Sequence, residues 1–189
     1  MEWEDGKTRC CWANPKNEKY IHYHDEEWGI PVRDDQKLFE MLILECFQAG
    51  LSWECVLNKR EAFREAFDNF DLDKICSYDA EKLESLRNNP GIIRNRLKIQ
   101  AAVTNARVFR DIQKMCCSFS SYLWHWTEDE VIYEYGRTSS PLSDLISKDL
   151  KKRGMKFVGT TIVYSYLQAV GVIYSHDPDC FLAHKHKEI

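Results

Sequence analysis

Between Asp34 and Gly171 the apolar residues of this chain recur mostly every three or four positions, and nowhere do they alternate convincingly over the length of a strand. That periodicity admits helices and leaves little for a sheet, so the fold class is expected to be all-α. Asp34 and Asp35 offer N-caps for a helix reading DQKLFEMLILECFQAG, which stops at Gly50. Ser52 can cap a second helix, WECVLNKREAFREAFDNF, and Asp71 and Asp79 open two shorter ones. A Pro90-Gly91 turn follows, then an amphipathic segment from about Arg94 to Lys114 with Leu97, Ala101, Asn105, Val108, Phe109 and Ile112 at helical spacing. The aromatic-rich stretch from Cys116 to Arg137 suggests no single element. Ser143 or a neighbour starts a helix that ends at Gly154, and GTTIVYSYLQAVG reads as a last helix with Gly159 and Thr160 at its start and Gly171 past its end.

No repeat, low-complexity tract or linker divides the sequence, so residues 1–189 are expected to form one domain, with room for two helical lobes around a cleft. The longest apolar run, MLILECFQAGLSW, is broken by Glu45 and falls short of the roughly 20 residues that span a bilayer. The opening MEWEDGKTRCCW has no apolar core of a secretory signal. Eight cysteines in a chain able to bury a core without cross-links are then expected to be reduced thiols of a cytoplasmic protein, some small core residues and some available to a metal. The net charge of −4 argues against a protein that simply coats nucleic acid, but not against a local DNA-binding face. Arg87, Arg94, Arg96 and Lys98 form one locally basic segment, and Lys148, Lys151, Lys152, Arg153 and Lys156 another; either could equally be a solvated helix face.

Three groups of residues carry chemistry. Glu45 follows Leu38 by seven positions and Leu42 by three, which puts a carboxylate on an apolar stripe. Such a group is expensive to bury unless it is used or paired, and pairing with a nearby base at the helix edge is the simpler alternative. Around it in sequence stand Phe47 and Trp53, and the N-terminal segment adds Trp12, Tyr20, Tyr23 and Trp28. These rings could line a pocket for a planar, electron-poor ligand, or serve as core. The third group lies at both ends: Cys10, Cys11, His22 and His24, then His176, Cys180, His184 and His186. Two thiolates and two imidazoles would make a closed tetrahedral zinc site stapling the ends together, provided that the ends meet. No phosphate-binding glycine loop, nucleophile elbow or cofactor fingerprint is present.

The string YHDEEWGIPVRDDQKLFEMLILECFQAGLSW, from Tyr23 to Trp53, closely resembles the signature region of the bacterial 3-methyladenine DNA glycosylase I family. So do RCCW near the start, PGIIRNRLKIQAAVTNA in the middle and LKKRGMKFVGTTIVYSYLQAVG near the end, and the likeness runs from about Arg9 to Cys180. The resemblance implies a helix-hairpin-helix glycosylase fold with a structural zinc ion on Cys10, His24, His176 and Cys180. It implies that Glu45 recognises the base, that Tyr23 and Trp53 stack on it, and that Trp12, Trp28 and Gln48 stand near the pocket. The hairpin resembles the segment from Pro90 to Arg96, whose amides and basic side chains would hold a DNA phosphate. Implied with these is action on double-stranded alkylated DNA that frees methylated adenine; since no lysine is placed by sequence to form a Schiff base, a monofunctional enzyme that does not cut the strand is expected, acting as a monomer.

This chain departs from the family in reading LECFQAG where LEGQQAG is common, so Cys46 and Phe47 replace glycine and glutamine beside Glu45. The substitution raises the expectation of a changed pocket polarity and, as a rival reading, of another alkylated purine as substrate. The spacing from Cys10 to His24 is one residue longer than is common, and Cys11 stands where glycine is usual and could compete as a ligand. A second rival, suggested by the aromatic and basic patches alone, is a non-catalytic zinc-stapled binding module. It leaves Glu45 without a purpose.

Overall fold

The computed structural model describes Trp3 and residues 5–183, and the fold it shows is mainly helical. The N-terminal segment leads into α1 (Glu18–Glu26), and then comes α2 (Asp35–Gln48). From Leu38 to Phe47 every residue of α2 is buried, so this is a central helix and not the one-sided helix a surface position would need. Packed on α2 are α3 (Trp53–Leu57), α7 (Arg96–Cys116), α8 (Phe119–His125) and α10 (Thr160–Ala169). Shorter α4 (Arg60–Ala66), α5 (Leu72–Cys76) and α6 (Ala80–Asn88) lie between α3 and α7, and α9 (Pro141–Lys152) packs on α10. His184 and His186 lie outside the described residues.

Local chemistry explains most boundaries. Asp34 caps α2 by accepting from the Lys37 amide at 2.9 Å, and Gly50 ends the segment at a φ of +78°. Asp35 does something the sequence did not suggest. Its carboxylate leaves its own helix to accept the Phe119 and Ser120 amides at 2.8 Å and the Gln113 amide at 2.7 Å, fixing the start of α8. The α9 cap is Ser140, three residues before the expected Ser143. Pro141 takes the first turn, and Ser140 and Ser143 exchange hydrogen bonds as a capping box.

The helix expected over 53–70 is broken. Lys59 leaves helical geometry and its ammonium donates to the carbonyls of Pro90 and Gly91, while Asp68, Asn69 and Phe70 adopt positive φ. The break lets Phe63, Phe67 and Phe70 stack in series at 5.9 Å, a burial that outweighs helix continuity.

Three further features escaped the periodicity. Helices α1 and α8 are two. The third is a parallel pair of two-residue strands, β1 (Ile132–Tyr133) and β2 (Ile173–Tyr174), in which the Ile132 amide donates to Val172 at 2.9 Å. This pair ties the aromatic-rich stretch to the chain beyond α10. Gly171, at φ +71°, joins the two ends of the chain: a Cβ there would stand 2.3 Å from the carbonyl carbon of Ile30. The approach allows Gly29 to donate to Gln168 at 3.1 Å and Val32 to Val170 at 3.0 Å.

Candidate active site and metal corner

Tyr23 and His24 are consecutive on α1, so their side chains point about 100° apart, and each enters a different site. His24 turns to the chain ends. There Cys10 Sγ lies 3.4 Å from His176 Nδ1, and Cys180 Sγ lies 3.6 Å from both His176 Nδ1 and His24 Nε2. All four ligand atoms fall within 4.8 Å of one another and all four residues are buried. Four donors of this kind so disposed can bind a metal ion. Each imidazole uses its other nitrogen outward: His24 Nδ1 pairs with Asp25 at 2.8 Å, and His176 Nε2 with the Trp28 carbonyl at 3.3 Å. Arg9 then grips Asp25 and Asp5 together. Backbone amides of Asp177 and Leu182 point at the two sulfurs. The facing Cys10 thiol, with both imidazoles, holds the Cys180 thiol far below the ordinary thiol range.

Of the other candidates, His22 is exposed and pairs with Glu26, and Cys11 is exposed with its amide donating to Asp177 at 2.7 Å. Neither joins the cluster. All eight cysteines are free.

Tyr23 turns the other way, into a cleft of about 440 Å³. Glu45 and Gln48, one turn apart at the end of α2, enter it together with Trp53, the first residue of α3. Trp12, Tyr20 and Trp28 complete the aromatic wall, so the rings and polar groups singled out from the sequence converge here. Trp28 serves both sites, edge-on to Trp12 at 4.8 Å and to His176 at 4.6 Å. Asn14 and Asn17 donate to Glu54 at 2.7 and 2.8 Å, which locks the N-terminal segment onto α3 and fixes this wall. Tyr23 and Trp53 touch each other, with centroids 5.2 Å apart and planes at 45°. A planar base held between parallel rings would need them roughly 7 Å apart, two contact distances. The rings therefore form one aromatic face as they stand.

Glu45 is only 3% exposed and, among the described residues, its Oε2 has no hydrogen-bond partner. Gln48 Oε1 and Trp53 Nε1 are likewise buried without partners. Burial pushes the Glu45 carboxyl up to about 8, and the groups that feel its charge are Tyr20, Tyr23 and Cys46, none of them a cation. The alternative of a helix-edge carboxylate paired with a base is thus excluded.

The concern about Phe47 is also answered. Phe47 is fully buried on the far side of α2, edge-on to Phe63 at 4.8 Å and Phe67 at 5.9 Å, and does not line the cleft. Cys46 faces Lys156 and Asn105. Neither departure changes the pocket wall.

Lys98, counted in a basic face, is buried instead; its ammonium donates to the carbonyls of Phe47 and Ala49 and clamps the end of α2 below the cleft. Arg94 and Arg96 remain exposed on the turn between α6 and α7. Sequence reading did not pick out Tyr135, Arg137, Ser165, Gln168, Ser175 and Asp177, which also line the cleft. One signal was available: Ser165 and Gln168, three apart, are a polar stripe on the otherwise apolar α10.

A profile of the methyladenine glycosylase family matches residues 12–184. The DNA-3-methyladenine glycosylase 1 of Escherichia coli strain K12 is 45% identical over 179 residues, 91% of this chain and 95% of its own. The DNA-3-methyladenine glycosylase of Haemophilus influenzae is 41% identical, over 92% and 96%. Among solved structures, 3-methyladenine DNA glycosylase I from Staphylococcus aureus, described for its recognition of 3-methyladenine, superposes with a TM-score of 0.90 at 35% identity, covering 95% of this chain and 98% of that one.

Proposed function

Because this chain belongs to the methyladenine glycosylase family, it excises 3-methyladenine from DNA, and we propose that the cleft around Glu45 is where the base is held. The observation that carries the assignment of the site is the buried, unpartnered Glu45 carboxyl in an aromatic cleft. Methylation at N3 leaves adenine with a positive charge while it is attached to the sugar. Aromatic faces attract such a ring, and a carboxylate complements it. Before the base arrives, burial favours the protonated form of the Glu45 carboxyl. The arriving cation lowers that preference, the proton leaves to solvent, and the carboxylate accepts a hydrogen bond from the exocyclic amine.

The nucleotide must first leave the duplex, at a cost of a few kcal/mol that is smaller for a poorly paired lesion. Leu51, an exposed apolar side chain in the turn between Gln48 and Trp53, is the residue we propose to fill the space left behind. The rings of Tyr23 and Trp53 part or tilt to stack on the base, and Gln48 and Trp53 supply polar groups free to bond it. The C1′–N9 bond then breaks with its electron pair going to the base, which departs neutral. Water adds to C1′ and releases a proton. The leaving group is already activated, so Glu45 acts by recognition and electrostatics. Hydrolysis without strand cutting is part of the proposal; among the described residues lining the cleft there is no lysine amine to attack C1′.

The turn from Asn89 to Asn95 between α6 and α7 is the candidate hairpin of a helix-hairpin-helix fold, with Arg94 and Arg96 exposed to a phosphate. For the metal corner, zinc is the best fit. Bonds of about 2.3 Å to sulfur and 2.05 Å to nitrogen put tetrahedral S and N ligands roughly 3.5 Å apart, as the 3.4–3.6 Å separations here require. Cys10, His24, His176 and Cys180 would hold it, and four protein ligands leave no open position, so its contribution is to stability. We assign the protein as a single-domain monomer of the cytoplasm, where its thiols stay reduced. Among the described residues no helix is long and apolar enough to cross a membrane.

The test is free-base release from methylated duplex DNA by wild type and Glu45→Gln. Wild type should free 3-methyladenine, and the variant should be slower by about a hundredfold, the loss of a charge-assisted hydrogen bond and its ionic complement. Equal rates would remove Glu45 from recognition. No release by the metal-loaded wild type would overturn the functional reading itself.

A further inference from the structure

The cleft that must receive a polyanion carries two acids, Glu45 deep inside and Asp177, which accepts the Cys11 amide, in a protein of net charge −4. Among the described residues lining it there is one cation, Arg137. It belongs neither to the turn between α6 and α7 nor to the basic stretch of α9 and its end. It stands on the segment between β1 and α9, which the Glu134 amide pins to the Tyr174 carbonyl at 3.2 Å, continuing the β1–β2 pairing.

Among the described residues the side chain has one ion-pair partner. Glu134, 15% exposed, lies 3.7 Å from the Arg137 guanidinium, which is itself 57% exposed. Behind Glu134 is the buried hydroxyl of Tyr164, which burial and the neighbouring carboxylate push up to about 12. Among the described residues Glu134 Oε2 and the Tyr164 hydroxyl are buried without hydrogen-bond partners, and the ion pair to Glu134 is what ties Arg137 to the protein. A guanidinium carries five N–H donors in a rigid fork, and one contact at 3.7 Å leaves an edge facing the opening. That edge matches the paired oxygens of a phosphodiester.

We propose that Arg137 binds the backbone phosphate next to the extruded nucleotide, so that the strand is held at the cleft mouth as well as at the turn between α6 and α7. This rests on the reading of the cleft as the base site, and it gives Arg137 a substrate-binding role in the same reaction. Neutralised there, the phosphate no longer meets the Asp177 carboxylate without a cation beside it, and the sugar is held while the base enters the pocket.

The experiment compares wild type with Arg137→Ala on a duplex carrying an abasic-site analogue, measuring affinity across a salt series. Wild type and variant are also titrated with free 3-methyladenine. The variant should bind the duplex more weakly by about tenfold at low salt, with a slope of log K against log salt shallower by about 0.9, one phosphate contact. Its affinity for the free base should not change, and Arg137→Lys should restore the slope. An unchanged slope would overturn the proposal. So would loss of free-base binding with the slope intact, which would make Arg137 a contact of the base. The duplex holds no base at the site, so these outcomes stand apart from whether wild type releases 3-methyladenine.

Discussion

The two sites share Trp28 and neighbouring residues of α1, yet they treat polar atoms in opposite ways. In the metal corner the groups are answered in depth: ligand atoms face one another, each imidazole has an outer acceptor, and Arg9 ties Asp25 in turn. In the cleft, Glu45 Oε2, Gln48 Oε1 and Trp53 Nε1 are buried with nothing to bond. Buried polar groups left unmatched cost about 1–3 kcal/mol each. A fold keeps such groups where a ligand will satisfy them. In the proposed reading the metal ion that these four donors can bind closes the corner and adds stability, while a substrate completes the cleft.

Removing a ligand from the finished site should have the largest effect. Cys180→Ser should abolish stoichiometric zinc, read by atomic emission, and lower the unfolding free energy by at least about 3 kcal/mol. A variant that lost zinc but melted like wild type would mean that the corner is not a staple.

In the unfinished site, removing a charge should do the reverse. The folded Glu45 carboxyl titrates near 8 against an ordinary 4.5, so the folded state keeps a proton that the unfolded state has released between these values. This contribution to stability is intact below about 4.5 and declines as pH rises to 8. Glu45→Gln removes it. Denaturant titrations should show the variant gaining on wild type through that window by a few kcal/mol, at roughly 1.4 kcal/mol per unit. A pH-independent difference would mean that Glu45 ionises freely in the fold.

The smallest effect is expected just behind the cleft. Phe47→Leu should lower stability by about 1–2 kcal/mol through lost packing on Phe63 and Phe67. It should leave the ratio of 3-methyladenine to 7-methylguanine release within about twofold, because Phe47 is not on the pocket wall. A shifted ratio would extend the cleft's boundary through α2.

How far the sequence could be read differs from element to element. The caps at Asp34, Ser52, Asp71 and Asp79 are local, each a side chain accepting an amide three residues on, and the structure forms all four. The break after Leu57 was not legible, because the segment packs against distant chain, with Lys59 reaching the carbonyls of Pro90 and Gly91 some thirty residues away. The β1–β2 pair was not legible either, since two residues are too few to alternate. Glu45 stood out as a carboxylate in an apolar stripe. Arg137 did not, because one arginine in a loop has no local mark of what it faces.

By itself, then, the sequence determined the helical class, most helix starts, and the residue types able to stack on a cationic base or bind a metal. These follow from spacing and side-chain chemistry, which act over a few residues. Only the tertiary structure decided that Cys10 and Cys180 meet, that Phe47 turns from the cleft while Glu45 enters it, and that Lys98 is a clamp and not a surface charge. Burial and partnering depend on which distant segments pack together, and the helical period does not contain that information.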